Sequence, residues 1–286
     1  MQIEWPSSTN KGTALIRLAH QFQPDILVKD EYVQWFFSDS LVLSLQQAPL
    51  SSDFSPKDDD ERNTQISYWF TILRERYIDN IIENSIAKGC RQLVLLGAGF
   101  DTRYFRLPEI TRESVRTFET DLPSTIKEKA AVLHARLGRM PPGLMLIPLD
   151  FNTQELESIK DHGFNNKLQT AFVWQGVCYY LPKDTVDSVL HFIKSNMAPG
   201  SMLVFDCCSP LMTYKNDRIA GISRTIDKLS AIGEPYLFGM DAEEMETWLL
   251  SIGFASINII QQDELENTML GRRTLPGNMW YIVTTN

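Results

Sequence analysis

Histidine and cysteine are scarce in this sequence, with four of each in 286 residues. Cys90, Cys178, Cys207 and Cys208 form no CxxC pair, and so few thiols frame neither a disulfide scaffold nor a zinc knuckle. His20, His134, His162 and His191 form no HxxxH pair, so no metal site is expected. The same scarcity narrows the chemistry, because histidine is the usual general base. Basic charge is in deficit too. A net charge of −9 is not the footprint of a nucleic-acid binder. Apolar runs such as Leu41 to Leu45 are too short for a bilayer, so no membrane partner is expected. Glu4, Trp5 and Pro6 stand where a signal peptide needs a basic start and an apolar run, which makes the cytoplasm the expected location.

What is present suits a folded core: 43% of the residues are hydrophobic, enough for one large domain or two small ones. Residues 1 to about 65 read as short helices and a polar loop. Thr13 to Phe22 carries a helical stripe, Tyr32 to Leu45 is aromatic and aliphatic, and Pro49 to Arg62 reads as a solvated loop containing the run Asp58, Asp59, Asp60, Glu61. Gln65 to Lys88 has strong helical periodicity and stops at Gly89. On it, Arg76 shares a face with Asn80 and Glu83, a solvent-facing choice. Arg74 falls on the apolar stripe, where it either snorkels or meets a carboxylate in a cleft.

After Gly89 the period changes. Strands are expected at Gln92 to Leu96, Val115 to Thr120, Leu144 to Leu149, Thr170 to Trp174 and Ser201 to Asp206. Helices are expected at Pro123 to Arg136, Thr153 to His162 and Lys183 to Met197. This alternation predicts an α/β fold, an open and mostly parallel sheet with helices on both faces. Cys207 to Met240 interrupts it as an inserted helical cover. Asp241 to Gly253 is an amphipathic helix with a capping box from Asp241 and Glu244. Ala255 to Gln262 and Met279 to Thr284 follow as strands with no crossover helix between them, so they should pair antiparallel.

The first strand runs straight into Gly97-Ala98-Gly99-Phe100-Asp101, and an acid, Asp121, closes the second strand. An acid about 20 residues past the glycines is placed to grip ribose hydroxyls, so an adenosine-containing cofactor is expected. A dinucleotide wants a third glycine and an uncharged turn for its pyrophosphate, but Thr102 and Asp101 occupy those places. S-adenosyl-L-methionine is cationic, suits an acidic turn, and has a carboxylate for Arg74. Bland roles compete at each acid: Asp101, Asp121 and Asp150 each stand where a helix cap is also needed. Gln175, beside Gly176, opens toward the crevice at the strand ends. Arg103 and Arg106 fit surface snorkelling better than pairing with an acceptor. Tyr179 and Tyr180 fit core packing and an acceptor pocket equally, while His20 and His191 fit structural roles.

The string from Val94 to Arg103, with Gly97-Ala98-Gly99-Phe100-Asp101-Thr102-Arg103 at its centre, resembles the signature of the leucine carboxyl methyltransferase family. That family includes many bacterial O-methyltransferases of polyketide and other secondary metabolism. The likeness continues through Phe118 to Pro123, Leu149-Asp150-Phe151 and Trp174 to Pro182, includes Arg74, and spans roughly residues 65 to 206. It implies a class I methyltransferase Rossmann-like sheet with an antiparallel last strand. A helical cover over 1–64 precedes a methyltransferase domain over 65–286, with an inserted cover at about 207–240. It further implies that Arg74 binds the donor's carboxylate, Gly97 and Gly99 line its methionine part with Ala98 between them, and Asp121 holds the ribose beside Leu122. Asp150 and Phe151 flank the adenine. Gln175 stands where the family usually has Glu, which bears on the donor's ammonium. The family's acceptor pocket is built from the N-terminal segment and the insert. Methyl transfer needs alignment more than a base, so no catalytic residue is singled out, and Tyr179, Tyr180 and Arg103 are the acceptor-side candidates. The expected acceptor is a carboxylate or acidic hydroxyl of a small metabolite or peptide terminus. An NAD-linked oxidoreductase and a donor-binding protein without transfer are the alternatives.

Overall fold

The computed structural model describes residues 9–47, 58–216, 218, 221–271 and 279–286. Three helices precede the sheet, α1 (Thr9–His20), α2 (Asp39–Gln47) and α3 (Asp59–Ala87), with a 3-10 turn at Val33–Phe36 between the first two. The long helix starts earlier than its expected span. Asp58, Asp59, Asp60 and Glu61, expected in a loop, instead begin it: Asp58 Oδ1 accepts from the Glu61 N–H at 2.9 Å. Acids at a helix N-terminus satisfy free N–H groups and face the positive end of its dipole. The rest of the expected loop, from Pro49 on, falls largely outside the described residues.

The chain continues through β1 (Gln92–Leu96), α4 (Arg103–Arg106), α5 (Pro108–Arg112), β2 (Arg116–Asp121), α6 (Pro123–Leu137), β3 (Leu144–Pro148) and β4 (Thr170–Trp174). Then follow α7 (Lys183–Asn196), β5 (Met202–Cys208), α8 (Ile222–Ala231), α9 (Ala242–Ile252), β6 (Asn258–Gln261), α10 (Gln262–Leu270) and β7 (Trp280–Thr285). The seven strands form one sheet in the order β3-β2-β1-β4-β5-β7-β6. β1 to β5 pair in parallel, and β7 runs antiparallel to both β5 and β6. This is the α/β sheet expected from the sequence. β1 and β4 are buried along their whole length, as strands covered by helices on both faces must be.

Four local expectations need correction. Residues 153–162 do not form an α-helix; a 3-10 segment, Leu156–His162, ends at Gly163 with φ +89°. The proposed insert begins late, because β5 extends through Cys208, and its regular structure is a 3-10 turn at Pro210–Met212 followed by α8. α10 lies between β6 and β7, although the two strands pair antiparallel as expected. Asp241 has the extended backbone of an N-cap, yet its side chain makes no capping bond.

One apolar core spans both faces of the sheet. A smaller cluster joins Ala14 and Leu18 of α1, Val33 and Leu45. It meets the turn after β1 through Phe100, whose ring lies 4.9 Å from that of Phe36. No described helix is long and apolar enough to cross a membrane.

Candidate active site

A cavity of about 530 Å³ opens at the carboxyl ends of β1 to β4, where the strand order reverses around β1. Crevices outside such switch points are the usual ligand sites of open α/β sheets. Every site residue singled out in the sequence lines it. Arg74 comes from α3, Gly97, Ala98 and Gly99 from the turn after β1, and Asp121 and Leu122 from the end of β2. Asp150 and Phe151 follow β3, Gln175 follows β4, and Arg103, Tyr179 and Tyr180 complete the set.

The glycine turn needs its glycines. Gly97 sits at φ +67°, and a Cβ there would overlap Cγ2 of Val177. The turn is fastened to β2 twice: the Ala98 N–H donates to the Thr120 carbonyl at 2.9 Å, and the Gly99 N–H to Asp121 Oδ2 at 2.7 Å. Asp121 Oδ1 accepts from the Leu122 N–H at 2.8 Å. No side chain caps α6, so Asp121 braces two turns at the cavity edge and is not a helix cap. Burial pushes its carboxyl pKa up, against the opposing pull of the Gly99 and Leu122 N–H groups. Asp150 Oδ1 accepts from the Asn152 N–H at 2.9 Å. Leu122 remains 49% exposed, an apolar side chain free to pack on a ligand.

Arg74 is buried. Its Nη1 donates to Asp206 Oδ2 at 2.5 Å, while Asp206 Oδ1 accepts from the Gly176 N–H at 2.6 Å. Its Nε has no partner among the described residues. A buried guanidinium with an orphaned donor, lining a cavity, fits a ligand carboxylate.

The largest departure from expectation is beside it. Arg103 and Arg106 do not snorkel at the surface; both are buried in an ionic cluster. Arg103 reaches Asp79 through Nε (2.8 Å), Asp101 through Nη1, and both Glu75 (3.0 Å) and Gln175 Oε1 (2.8 Å) through Nη2. As an acceptor-side candidate it is therefore largely committed to the chain's own groups. Arg106 bonds Asp79 and, at 2.5 Å, Glu75. Arg17 of α1 joins from the other side, 3.3 Å from Glu75 and 3.5 Å from Asp30. Asp101 also accepts from the Arg103 N–H at 2.6 Å, so the expected acidic turn is neutralised locally. Thr102 donates to Asp30 at 2.7 Å. Burial alone would push the Glu75 carboxyl up. Arg103, Arg17 and Arg106 outweigh it and hold that group well below the usual carboxylate range.

Glu75, Asp79, Asp206, Arg17 and Asp30 were not singled out in the sequence. A signal existed only for Asp206, an acid at a strand end, and for Glu75, the neighbour of Arg74. Arg76 is 40% exposed, in keeping with its solvent-facing spacing.

Next to Arg74, whose Nη1 lies 3.4 Å from Tyr179 Oη, the wall is aromatic and composite. Tyr179 packs against Tyr180, Tyr236 and Trp280 with centroids 4.8 to 5.0 Å apart. The Leu237 N–H donates to the Tyr179 carbonyl at 2.7 Å, and the Thr9 N–H to Glu234 Oε2 at 2.8 Å, so the insert and α1 meet here. Burial raises the phenol pKa of Tyr179 far above its ordinary value and that of Tyr180 to about 12. No described histidine lines the cavity. His20 is buried elsewhere, bonded to Tyr68 Oη (2.8 Å) and the Leu27 N–H (2.9 Å), and His191 is exposed beside Asp187. All four cysteines are buried and free.

The profile of the family described as leucine carboxyl methyltransferase matches residues 11–194. Among curated relatives, YktD of Bacillus subtilis (strain 168), named as a candidate S-adenosyl-L-methionine-dependent methyltransferase, is 29% identical over 203 residues, 71% of this chain and 66% of its own. A Mycolicibacterium smegmatis protein of the same description is 30% identical over 200 residues, 70% of this chain and 62% of its own. The chain therefore spans two thirds or less of the length of these relatives. Among solved structures, a DUF574 family protein from Streptomyces avermitilis superposes with a TM-score of 0.61 at 12% identity, covering 95% of this chain and 96% of that one. A candidate methyltransferase from Thermobifida fusca gives 0.56 at 15% identity, covering 99% of each chain. At these identities the two structures speak to the fold.

Proposed function

Because this chain belongs to the leucine carboxyl methyltransferase family, we propose that it is an S-adenosyl-L-methionine-dependent O-methyltransferase whose donor lies in the cavity at the strand ends. The observation that carries the reading is the convergence there of the glycine turn, the Asp121 carboxylate and the partly unpartnered Arg74 guanidinium. When bound, the donor supplies an electrophilic methyl group on a sulfonium. In this reading Arg74 takes the donor's carboxylate and Asp121 its ribose hydroxyls. Leu122 packs beside the ribose, and Asp150 and Phe151 flank the adenine. Residues 1–64 and the insert enclose the acceptor, with residues 65–286 as the transferase domain.

The acceptor side favours a group that needs no base. No described histidine reaches the cavity, and burial keeps both tyrosine hydroxyls protonated at neutral pH. A carboxylate is already ionised, and an acidic hydroxyl nearly so. That leaves the chain to align and desolvate the reactants. We therefore place the acceptor among carboxylates or acidic hydroxyls of small metabolites or peptide termini. A dinucleotide is disfavoured by α4. It has four residues, too short to aim a helix dipole at a pyrophosphate.

Titration calorimetry with S-adenosylhomocysteine tests the donor site, and transfer of a labelled methyl group to matched carboxylate and phenol panels tests the acceptor. Asp121→Ala should weaken nucleoside binding at least about tenfold, the loss of charge-assisted hydrogen bonds. Unchanged affinity removes the ribose assignment, and a thermal shift with NAD alone favours the oxidoreductase.

A further inference from the structure

We propose that Glu75, held in place by Gln175, receives the α-ammonium group of the methyl donor, an assignment that rests on the donor reading above. Glu75 and Gln175 both line the cavity. The amide between them has a determined orientation. Gln175 Oε1 accepts from Arg103 Nη2 at 2.8 Å, and Gln175 Nε2 donates to Glu75 Oε2 at 2.7 Å. Flipping it would set oxygen against carboxylate and N–H against guanidinium.

The two oxygens of Glu75 are unequal. Oε1 carries the contacts to Arg17, Arg103 and Arg106. The hydrogen bond at Oε2 comes from a neutral amide. The other cavity-lining carboxylates have partners of their own, and none of them adjoins Arg74 along the chain. Asp101 is clamped by Arg103, Asp121 and Asp150 are braced by backbone N–H groups, and Glu234 holds Thr9.

The cluster around Glu75 joins Arg17, Arg103 and Arg106 to Asp30, Glu75, Asp79 and Asp101. Among these side chains carboxylates outnumber guanidiniums by one, and Lys129, bonded to the Asp101 carbonyl at 2.7 Å and paired with Glu119, adjoins them. Arg74 and Glu75 are consecutive on α3 and both line the cavity, so one helical turn offers a cation and an anion to the same ligand. That pair matches the carboxylate and ammonium of an α-amino acid moiety. A carboxylate at 175 would face Glu75 at hydrogen-bond distance, so with Glu75 present the amide is the side chain that fits.

The test is calorimetric titration of the full chain with S-adenosylhomocysteine and with its deaminated analogue, in which hydrogen replaces the amino group. In the wild type the amino-bearing ligand should bind at least about tenfold more tightly, the worth of a charge-assisted hydrogen bond. Glu75→Gln should reduce that ratio to about threefold or less while leaving the analogue's affinity nearly unchanged. The swapped variant E75Q/Q175E keeps the cluster's charge and the amide–carboxylate bond, and should recover the ratio. It also keeps the test decisive if Glu75→Gln alone fails to fold. Equal binding of the two ligands by the wild type overturns the assignment. So does an unchanged ratio in folded Glu75→Gln, or a swapped variant that folds and shows no preference. Failure of the wild type to bind either nucleoside overturns the donor reading itself, and this assignment with it.

Discussion

Arg106→Met isolates what the buried ionic cluster contributes to stability. The side chain is 3% exposed and does not line the cavity, so the change leaves the candidate site's surface intact. It removes the bonds from Nη1 and Nη2 to Asp79 and the one from Nη2 to Glu75. The cluster would then hold two guanidiniums in place of three against the same four carboxylates. Breaking one side of a buried pair costs about 3–5 kcal/mol. Both carboxylates retain Arg103, and Glu75 also retains Arg17 and Gln175, so the lower end, about 3 kcal/mol, is expected. The assay is urea unfolding at pH 7, with Arg112→Met as the control. Arg112 is 70% exposed and 3.7 Å from Glu109, a surface pair worth no more than about 1 kcal/mol. The pH dependence has a definite sign. Glu75 is held below its ordinary range, so it stabilises above its unfolded pKa, and that contribution is lost as pH falls through the folded value. The variant loses one of the charges responsible, so its deficit is full at pH 7 and shrinks below about pH 4.3. A loss under about 1 kcal/mol at pH 7 would refute the view that these arginines are structural.

Two further outcomes are expected. Gly97→Ala should destabilise the fold by more than the roughly 1–2 kcal/mol of left-handed backbone strain, and Val177→Ala in the same chain should relieve the excess. Melting temperatures of the single and double variants check this, and a Gly97→Ala protein as stable as wild type would contradict it. His20 is buried, and burial lowers its pKa from 6.5 to about 4. Stability is therefore full above pH 6.5 and falls by about 3 kcal/mol between pH 6.5 and 4, as the unfolded chain takes up the proton first. Unfolding free energies across that window should flatten in His20→Gln; an unaltered slope would assign the effect elsewhere.

The parts of the fold legible in the sequence are those governed by local pattern. The apolar run at β1 between two glycines, the strand-end acids and the periodicity of α3 are each written in a few consecutive residues. The ionic cluster is not. Its members stand at positions 17, 30, 75, 79, 101, 103 and 106, and nothing at one position announces the others. Helical spacing separated Arg74 from Arg76, but it assumes a helix with one wet face. Along α3 the segment from Tyr68 to Glu75 is buried all round, so a charged neighbour of Arg74 is as internal as Arg74 itself. The four-residue α4 turns Arg103 and Arg106 inward, which no periodicity over so short a stretch reveals. The acidic run 58–61 misled for the opposite reason: charge reads as loop, although at a helix start it is what the backbone requires.

The locked Gln175 amide has a wider consequence for how the cavity responds to its contents. Water meets a new charge by reorienting, and that rearrangement has a free-energy cost each time. Here the dipole next to Glu75 is pinned at both ends, by Arg103 and by Glu75, when the chain folds. The polarity of that wall is thus a frozen property of the protein, set before any ligand arrives and unable to reverse for one of opposite charge order. Under the ammonium assignment proposed above, selection at this wall rests on stiffness: a molecule with the right sequence of charges would meet a field already aligned to it.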